Sequence, residues 1–109
     1  MKVLRMVHSK YNVGPYEARK NIGNWEDYHM KKIVNNPPPN KDGIDDFSPY
    51  YVFGFDSALA FYLWFEGTFL YFRELGFVVK CFEVDENYIC FGKNQLCFDP
   101  KYAKLLWTY

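Results

Sequence analysis

Arg5 is the residue in the first part of this sequence whose chemistry is best suited to holding a ligand. Its guanidinium is planar, permanently charged and carries a rigid fork of N–H donors that matches phosphate and carboxylate groups. The segment from Lys2 to His8 is rich in Val, Leu and Met and predicts a β-strand, with Arg5 between Val3 and Val7 on one face. Arg5 is therefore either an anion clamp or a sheet-edge arginine whose charged head lies in water.

A rigid loop follows this strand and adds further binding candidates. Its centre is Asn-Val-Gly-Pro at residues 12–15, where the proline ring fixes φ and glycine adopts conformations closed to other residues. Because the loop begins directly after His8, it can bring backbone N–H groups and the Tyr16 side chain towards a ligand beside Arg5 and His8. The alternative is a turn that only reverses the chain.

The stretch from Tyr50 to Val84 must position the remaining candidates, and the rest of the chain is organised around it. It opens with an aromatic run that ends at Phe53 and predicts a strand, followed by a turn at Gly54. Asp56 and Ser57 then offer side-chain oxygens that can cap the start of a helix. The sequence therefore predicts that Phe53 and Ser57 flank a strand-to-helix turn.

A helix from Asp56 to Leu75 is predicted by apolar residues that recur at spacings of one, three and four. Gly67 should bend or split this helix, and Gly76 follows it where a C-cap needs positive φ. The segment 77–84 then predicts a buried strand. The predicted apolar stripe consists of Ala58, Phe61, Tyr62, Phe65, Phe69, Phe72 and Leu75.

Short segments rich in strand-forming residues complete the chain. Strands are predicted at 88–91 and 95–98, with a turn at residues 92–94, and the last apolar segment, 104–109, is a strand or a docked tail. A further short helix is predicted at Asn24–Asn35, before an irregular proline-rich loop at residues 35–49. The expected fold is a single α+β domain over residues 1–109, with a mixed, mainly antiparallel sheet packed on two or three helices.

The charge balance argues against nucleic acid as a partner. Lysine plus arginine and aspartate plus glutamate each number 13, so the chain has no overall basic field of the kind that drives binding by counterion release. Aromatic residues make up 22% of the sequence, enough that some should lie on the surface or line a cleft. The composition favours a cleft or a partner surface over a nucleic-acid track.

The cysteines predict neither a disulfide nor a metal site. Cys81, Cys90 and Cys97 are an odd number and show none of the close paired spacings of zinc sites. The acidic residues around Asp42 lack the spacing of a calcium loop. With no signal peptide and no membrane-spanning run, we expect a cytoplasmic protein with no membrane contact, no metal and three free, buried thiols that react slowly until the protein is denatured.

The order of these pieces resembles the ADP-ribosyltransferase-like fold. The pieces are a strand with Arg5, the motif FGF-x-S from Phe53 to Ser57, and a late strand, NQLCFDPKYAKLLW, at residues 94–107. The last piece is similar to the end of the poly(ADP-ribose) polymerase-type catalytic domain. The set also resembles short phage proteins that have GPY and FGF-x-S motifs, the former at residues 14–16 here.

This resemblance implies an NAD-like ligand and assigns roles to matching residues. It implies that Arg5 holds a phosphate of NAD and that Ser57 orders the binding site. The position of the family's catalytic glutamate falls on Gln95 or its neighbours, where residues 93–98 contain no carboxylate. Because glutamine carries no negative charge, it cannot stabilise a cationic transition state as a glutamate does. Gln95 is thus a candidate for the catalytic residue by its position only. The chain can keep the binding of NAD while the transfer of ADP-ribose is lost.

Two classes of function remain open. The first is a nucleotide-binding, ADP-ribosyltransferase-like module, catalytically impaired, with Arg5, His8, Tyr16, Phe53, Ser57 and Gln95 around the ligand. The second is a non-enzymatic phage-type interaction or inhibitor protein that acts on a host protein through its proline loop and exposed aromatic residues. Fold does not decide between them.

Overall fold

The computed structural model describes residues 1–15, 42–44 and 50–109. Within them the chain forms strands β1 (Lys2–His8) and β2 (Val52–Gly54), helices α1 (Ala58–Trp64) and α2 (Phe69–Glu74), and strands β3 (Phe77–Val84), β4 (Ile89–Phe91), β5 (Leu96–Phe98) and β6 (Ala103–Thr108). Single 3₁₀ turns precede β4 and β6. The described fold is a small α+β domain.

The strands form two antiparallel sheets of three strands each, with orders β1-β3-β6 and β2-β5-β4. A bridge between Leu4 and Phe55 joins the sheets through two backbone hydrogen bonds of 2.8 Å. Each of these two residues donates one bond and accepts the other. The sequence predicted one mixed sheet, and this prediction is wrong for the described strands. The chain pairs with β1 only at Phe55, after β2 has ended, so β2 belongs to a second sheet.

Local signals set the limits of the helices as predicted. Ser57 is the N-cap of α1, and its hydroxyl accepts a hydrogen bond of 3.1 Å from the Ala60 backbone N–H. Gly67 has a φ of 77° and separates α1 from α2, and Gly76 has a φ of 96° at the end of α2. Both backbone conformations are costly for residues with a Cβ. The predicted helix of residues 56–75 is thus split in two at Gly67.

Two apolar clusters hold the sheets and helices together. The larger lies between β1, β3 and the helices and is dominated by rings; its buried members are Met6, Phe55, Phe61, Trp64, Phe65, Phe72, Phe77 and Val79. The smaller lies where the two sheets meet and has Val3, Val84, Leu96 and Phe98 as its buried members. The alternation along β1 sends Val3 to one cluster and Met6 to the other.

The strand predictions hold with small changes of boundary. β1 and β3 span the predicted residues, whereas β2 begins two residues later than predicted and includes Gly54, where the sequence predicted a turn. The last segment is a strand and not a docked tail. The predicted helix at Asn24–Asn35 lies outside the described residues, as does most of the proline-rich loop.

Truncating Phe65 should remove much of the stability of the domain. Its ring is 2% exposed and meets those of Phe55, Phe61 and Phe72 at centroid distances of 4.9 to 5.9 Å. We expect Phe65→Ala to lower the free energy of unfolding by about 3–5 kcal/mol, as other buried aromatic truncations do. Urea unfolding followed by circular dichroism measures it.

Leu63→Ala is the matched control, because Leu63 lies in the last turn of α1, which Phe65 caps, but is 60% exposed. This variant should change the free energy of unfolding by less than about 0.5 kcal/mol. Equal losses in the two variants would contradict the orientation of α1.

Candidate functional site

Three of the predicted site residues, Arg5, Phe53 and Gln95, line one small cavity of about 160 Å³. Arg5 lies on β1, Phe53 on β2 and Gln95 directly before β5, so the junction of the two sheets brings them together. The remaining described lining is apolar or lacks charge: Met6, Gly14, Pro15, Phe55, Trp64 and Phe65. The cavity is smaller than the range of about 300–1,000 Å³ in which ligand pockets usually fall.

Arg5 is buried and takes part in holding the sheets together. Its side chain is 7% exposed, and Nη1 donates a hydrogen bond of 3.0 Å to the Phe53 carbonyl oxygen. Gly14 lies against the guanidinium so closely that a Cβ there would be 3.2 Å from Nη2. The alternative of a sheet-edge arginine with its head in water is therefore wrong. One donor of the predicted anion clamp is already bound to the backbone.

A larger groove of about 410 Å³ adjoins this cavity, and Trp64 and Gln95 line both. One wall is α1 with its flanking residues, and the other is the β4–β5 hairpin. Its charged and amide side chains are Asp56, Glu66, Lys93, Asn94 and Gln95, and its apolar lining is Ala60, Leu63, Trp64, Phe91 and Leu96. Sequence reasoning missed Trp64 and the two carboxylates; Trp64 was detectable as the residue three positions after Phe61.

Asp42 fixes the hairpin wall of the groove. Its carboxylate is 2% exposed and accepts 2.9 Å hydrogen bonds from the backbone N–H groups of Asn94 and Gln95, and one of 2.6 Å from the Asn94 amide. Its own carbonyl oxygen accepts from the Lys93 N–H at 2.7 Å. Gly92 is required there, because a Cβ would lie 2.5 Å from Asp42 Oδ2. Asp42 thus serves the hairpin turn.

His8 is buried away from Arg5, on the opposite face of β1. Its Nδ1 accepts hydrogen bonds from the backbone N–H groups of Lys10 at 3.1 Å and Tyr11 at 3.2 Å. Nε2 therefore carries the hydrogen and donates to the Leu75 carbonyl oxygen at 2.9 Å. The structure does not bring His8 to the cavity; the ring ties the end of β1 to the end of α2.

Ser57 and the carboxylates of Glu83 and Asp85 have local structural partners. Ser57 is exposed and caps α1, while its neighbour Asp56 lines the groove. Glu83 pairs with the amino terminus at 2.8 Å, and Asp85 caps a 3₁₀ turn by accepting from the Asn87 N–H at 2.9 Å. None of these three carboxylates is therefore placed beside Gln95 in the small cavity. Tyr16 lies outside the described residues.

The three cysteines are free thiols, as predicted, and two are fully buried. Burial raises the pKa of Cys81 above its ordinary value. Burial and the neighbouring Cys90 raise the pKa of Cys97 to about 12. Cys90 is only half-buried, so the prediction of three buried thiols is wrong at this residue.

Among residues 1–15, 42–44 and 50–109, no group of three histidine, cysteine or acidic side chains is arranged to hold a metal ion. In the same residues, no helix is long and apolar enough to cross a membrane.

The described elements define a small α+β protein of two antiparallel sheets and two short helices, with a groove between a helix and a hairpin. A family model described as "Bacteriophage T4 Y00F protein" matches residues 1–109. The chain belongs to this family of small phage proteins. No curated protein and no solved structure matches the chain.

Replacing Asp42 by asparagine should weaken the hairpin wall. Asparagine keeps one oxygen but turns an NH₂ group towards backbone N–H donors, which leaves buried donors without an acceptor. We expect Asp42→Asn to lower the free energy of unfolding by about 2–3 kcal/mol. Chemical denaturation measures this loss, with Asp56→Asn as the control, since Asp56 is exposed. A loss below about 0.5 kcal/mol for Asp42→Asn would show that the turn does not depend on this carboxylate.

Proposed function

We propose that this phage protein is a non-enzymatic interaction module that binds a protein of the bacterial host through the outer face of α1. The observation that carries the proposal is the exposure of three large apolar side chains on that face: Leu59 is 69% exposed, Tyr62 59% and Leu63 60%. They occupy positions i, i+3 and i+4, so they lie side by side on the helix. Such patches on soluble proteins commonly mark binding surfaces.

The composition of α1 strengthens this proposal. Residues 58–64 include no charged side chain, and Phe61 and Trp64 already bury the inner face of the helix. A helix that is apolar on every side is normally covered on every side. Leu70, 74% exposed at the start of the next helix, adds a further apolar side chain. A partner that covers the outer face would remove this apolar surface from water.

The groove beside α1 gives the partner a place to anchor. Leu63 belongs both to the outer face and to the groove lining, so one partner segment can contact the helix and enter the groove. Trp64 supplies the apolar floor, and Asp56, Glu66 and Lys93 supply charged groups for orientation. Apolar anchors with a polar border are the usual anatomy of protein interfaces.

Substitutions on the outer face test this proposal directly. The immobilised protein is incubated with bacterial lysate, and retained proteins are quantified by mass spectrometry. We expect at least one bacterial protein to be retained by the wild type and to lose at least about tenfold in affinity for Leu59→Ser/Leu63→Ser, which corresponds to about 1.4 kcal/mol. Purified partner and interferometry give the dissociation constants.

Leu105→Ser is the matched control, because Leu105 is a leucine 49% exposed on β6. It should retain the partner as the wild type does, and circular dichroism should show all variants folded. Equal retention of every bacterial protein by the double variant and the wild type would overturn the proposal.

A second candidate function is the binding of a nucleotide such as NAD. What favours it is the convergence of Arg5, Phe53 and Gln95 on one cavity that adjoins the larger groove. Against it, the cavity near Arg5 is too small for a whole dinucleotide, and the described lining of the groove that adjoins it contains the carboxylates of Asp56 and Glu66 and a single cation, Lys93. Like charges there would weaken binding of an anion.

Isothermal titration with NAD and ADP-ribose tests this second candidate. If this candidate function is correct, the wild type binds NAD or ADP-ribose with a dissociation constant of millimolar or below. A millimolar constant corresponds to a binding free energy of about 4 kcal/mol. Gln95→Glu should then start nicotinamide release from NAD, because a carboxylate favours the cationic transition state. Gln95→Ala is the control that removes the amide without adding charge. Absence of binding by the wild type and both variants rejects nucleotide binding and leaves the interaction proposal untouched.

A further inference from the structure

The β4–β5 hairpin holds two cysteines directly opposite each other. Cys90 and Cys97 are cross-strand partners in the antiparallel register, between the pairs Ile89–Phe98 and Phe91–Leu96. Directly opposed residues project from the same face of a sheet, with Cβ atoms about 4.5–5.5 Å apart. Their Cα atoms are separated by about 4.5 or 5.5 Å in the two alternating kinds of antiparallel pair. Both Cα separations lie within the range that disulfides span, and the Cβ atoms need to approach each other by about 1 Å for the bond to form.

We propose that Cys90 and Cys97 are a redox-active pair that forms a reversible disulfide across the hairpin. The pairing register supplies the geometry, and the difference in exposure supplies the order of events. Cys90 is on the outer strand of its sheet and half-buried, whereas Cys97 is 0% exposed on the central strand. Cys90 is therefore the thiol that an oxidant reaches first, and Cys97 is the thiol that resolves the product.

A low-molecular-weight disulfide such as oxidised glutathione is the oxidant. The Cys90 thiolate attacks one sulfur, forms a mixed disulfide and releases one glutathione thiolate. The Cys97 thiolate then attacks Sγ of Cys90, forms the Cys90–Cys97 bond and releases the second glutathione thiolate. The protein loses two electrons and two protons, and the oxidant becomes two molecules of reduced glutathione.

The second step should be the slow one. Burial, the largest cause of the raised pKa of Cys97, persists when Cys90 carries glutathione, so few molecules contain the Cys97 thiolate at neutral pH. As long as the pH is below the pKa, the thiolate fraction of such a group rises about tenfold for each unit by which the pH is raised. The mixed disulfide on Cys90 therefore accumulates first, and its conversion to the internal disulfide should accelerate about tenfold per unit between pH 7 and pH 9.

The third cysteine, Cys81, is buried but does not belong to a pair of opposed thiols. Cys81 is 1% exposed, lies in the other sheet and is paired with Leu4 and Trp107 across its two neighbouring strands. It therefore has no thiol opposite it. A buried cysteine of this kind behaves as a small apolar residue. Cys81 is the internal reference for the reactivity of the pair.

The test uses the full chain in its reduced form, with an excess of oxidised glutathione, an acid quench and alkylation of the remaining thiols. Intact mass of the quenched samples before alkylation follows the glutathione adduct and then the internal disulfide, which lowers the mass of the reduced chain by about 2 Da for two hydrogens lost. Cleavage after Glu86 and Lys93 separates the three cysteines into different peptides, so the linked pair is read directly. We expect a disulfide between Cys90 and Cys97, with Cys81 alkylated.

Two variants and one treatment complete the experiment. Cys90→Ala should take up no glutathione while folded, Cys81→Ala should form the disulfide as the wild type does, and reduced glutathione in excess should reverse the reaction. The wild-type measurement requires no variant to fold. A mixed disulfide on Cys90 that persists at pH 9, or a disulfide that includes Cys81 or joins two chains, would overturn the proposal.

Discussion

The pair of backbone hydrogen bonds between Leu4 and Phe55 is the constraint on which the rest of the structure depends. These two bonds of 2.8 Å are the bridge between the sheets, and they hold the chain directly after β2 beside β1. Gly54 makes that approach possible: a Cβ there would lie 2.7 Å from Val3 Cγ1 and 2.8 Å from the Leu4 carbonyl oxygen. Only glycine fits such a contact without moving a strand.

The two cavities are consequences of this junction. Once Phe55 is held on β1, the Phe53 carbonyl oxygen comes within reach of Arg5, and the Phe55 ring packs on Phe61, Trp64 and Phe65. The helix then faces the β4–β5 hairpin across the groove, with Trp64 and Gln95 between the two cavities. Asp42, which belongs to neither sheet, holds the hairpin wall of the groove in place. The groove is thus built by contacts between distant parts of the chain.

The polar side chains that the sequence offered for chemistry are used in this structure to hold the backbone. Arg5 donates to a backbone carbonyl, His8 binds three backbone groups, and Ser57 caps a helix. Side chains that hold backbone groups cannot change partners during a reaction without weakening the fold. The outer face of α1, by contrast, exposes three large apolar side chains, and the proposed interaction rests on them.

The sequence by itself determined the elements whose signals are local. Alternation predicted β1 and its two faces, Ser57 predicted the start of α1, and Gly67 and Gly76 predicted the ends of the helices, because capping and positive φ depend on neighbouring residues. The family-level resemblance to small phage proteins also came from short motifs and agrees with the matching family.

Only the tertiary structure decided which residues share a site. It tied the His8 ring to the end of α2 and brought Asp42 to the hairpin turn 52 and 53 residues away in the chain. It also placed Cys90 opposite Cys97 through the register of two strands. It also left Tyr62 exposed although it belonged to the predicted apolar stripe, because Trp64 occupies the inner face instead. Such outcomes depend on the pairing of distant strands and on the space that the core has for each apolar side chain. The periodicity of one segment carries no information about either.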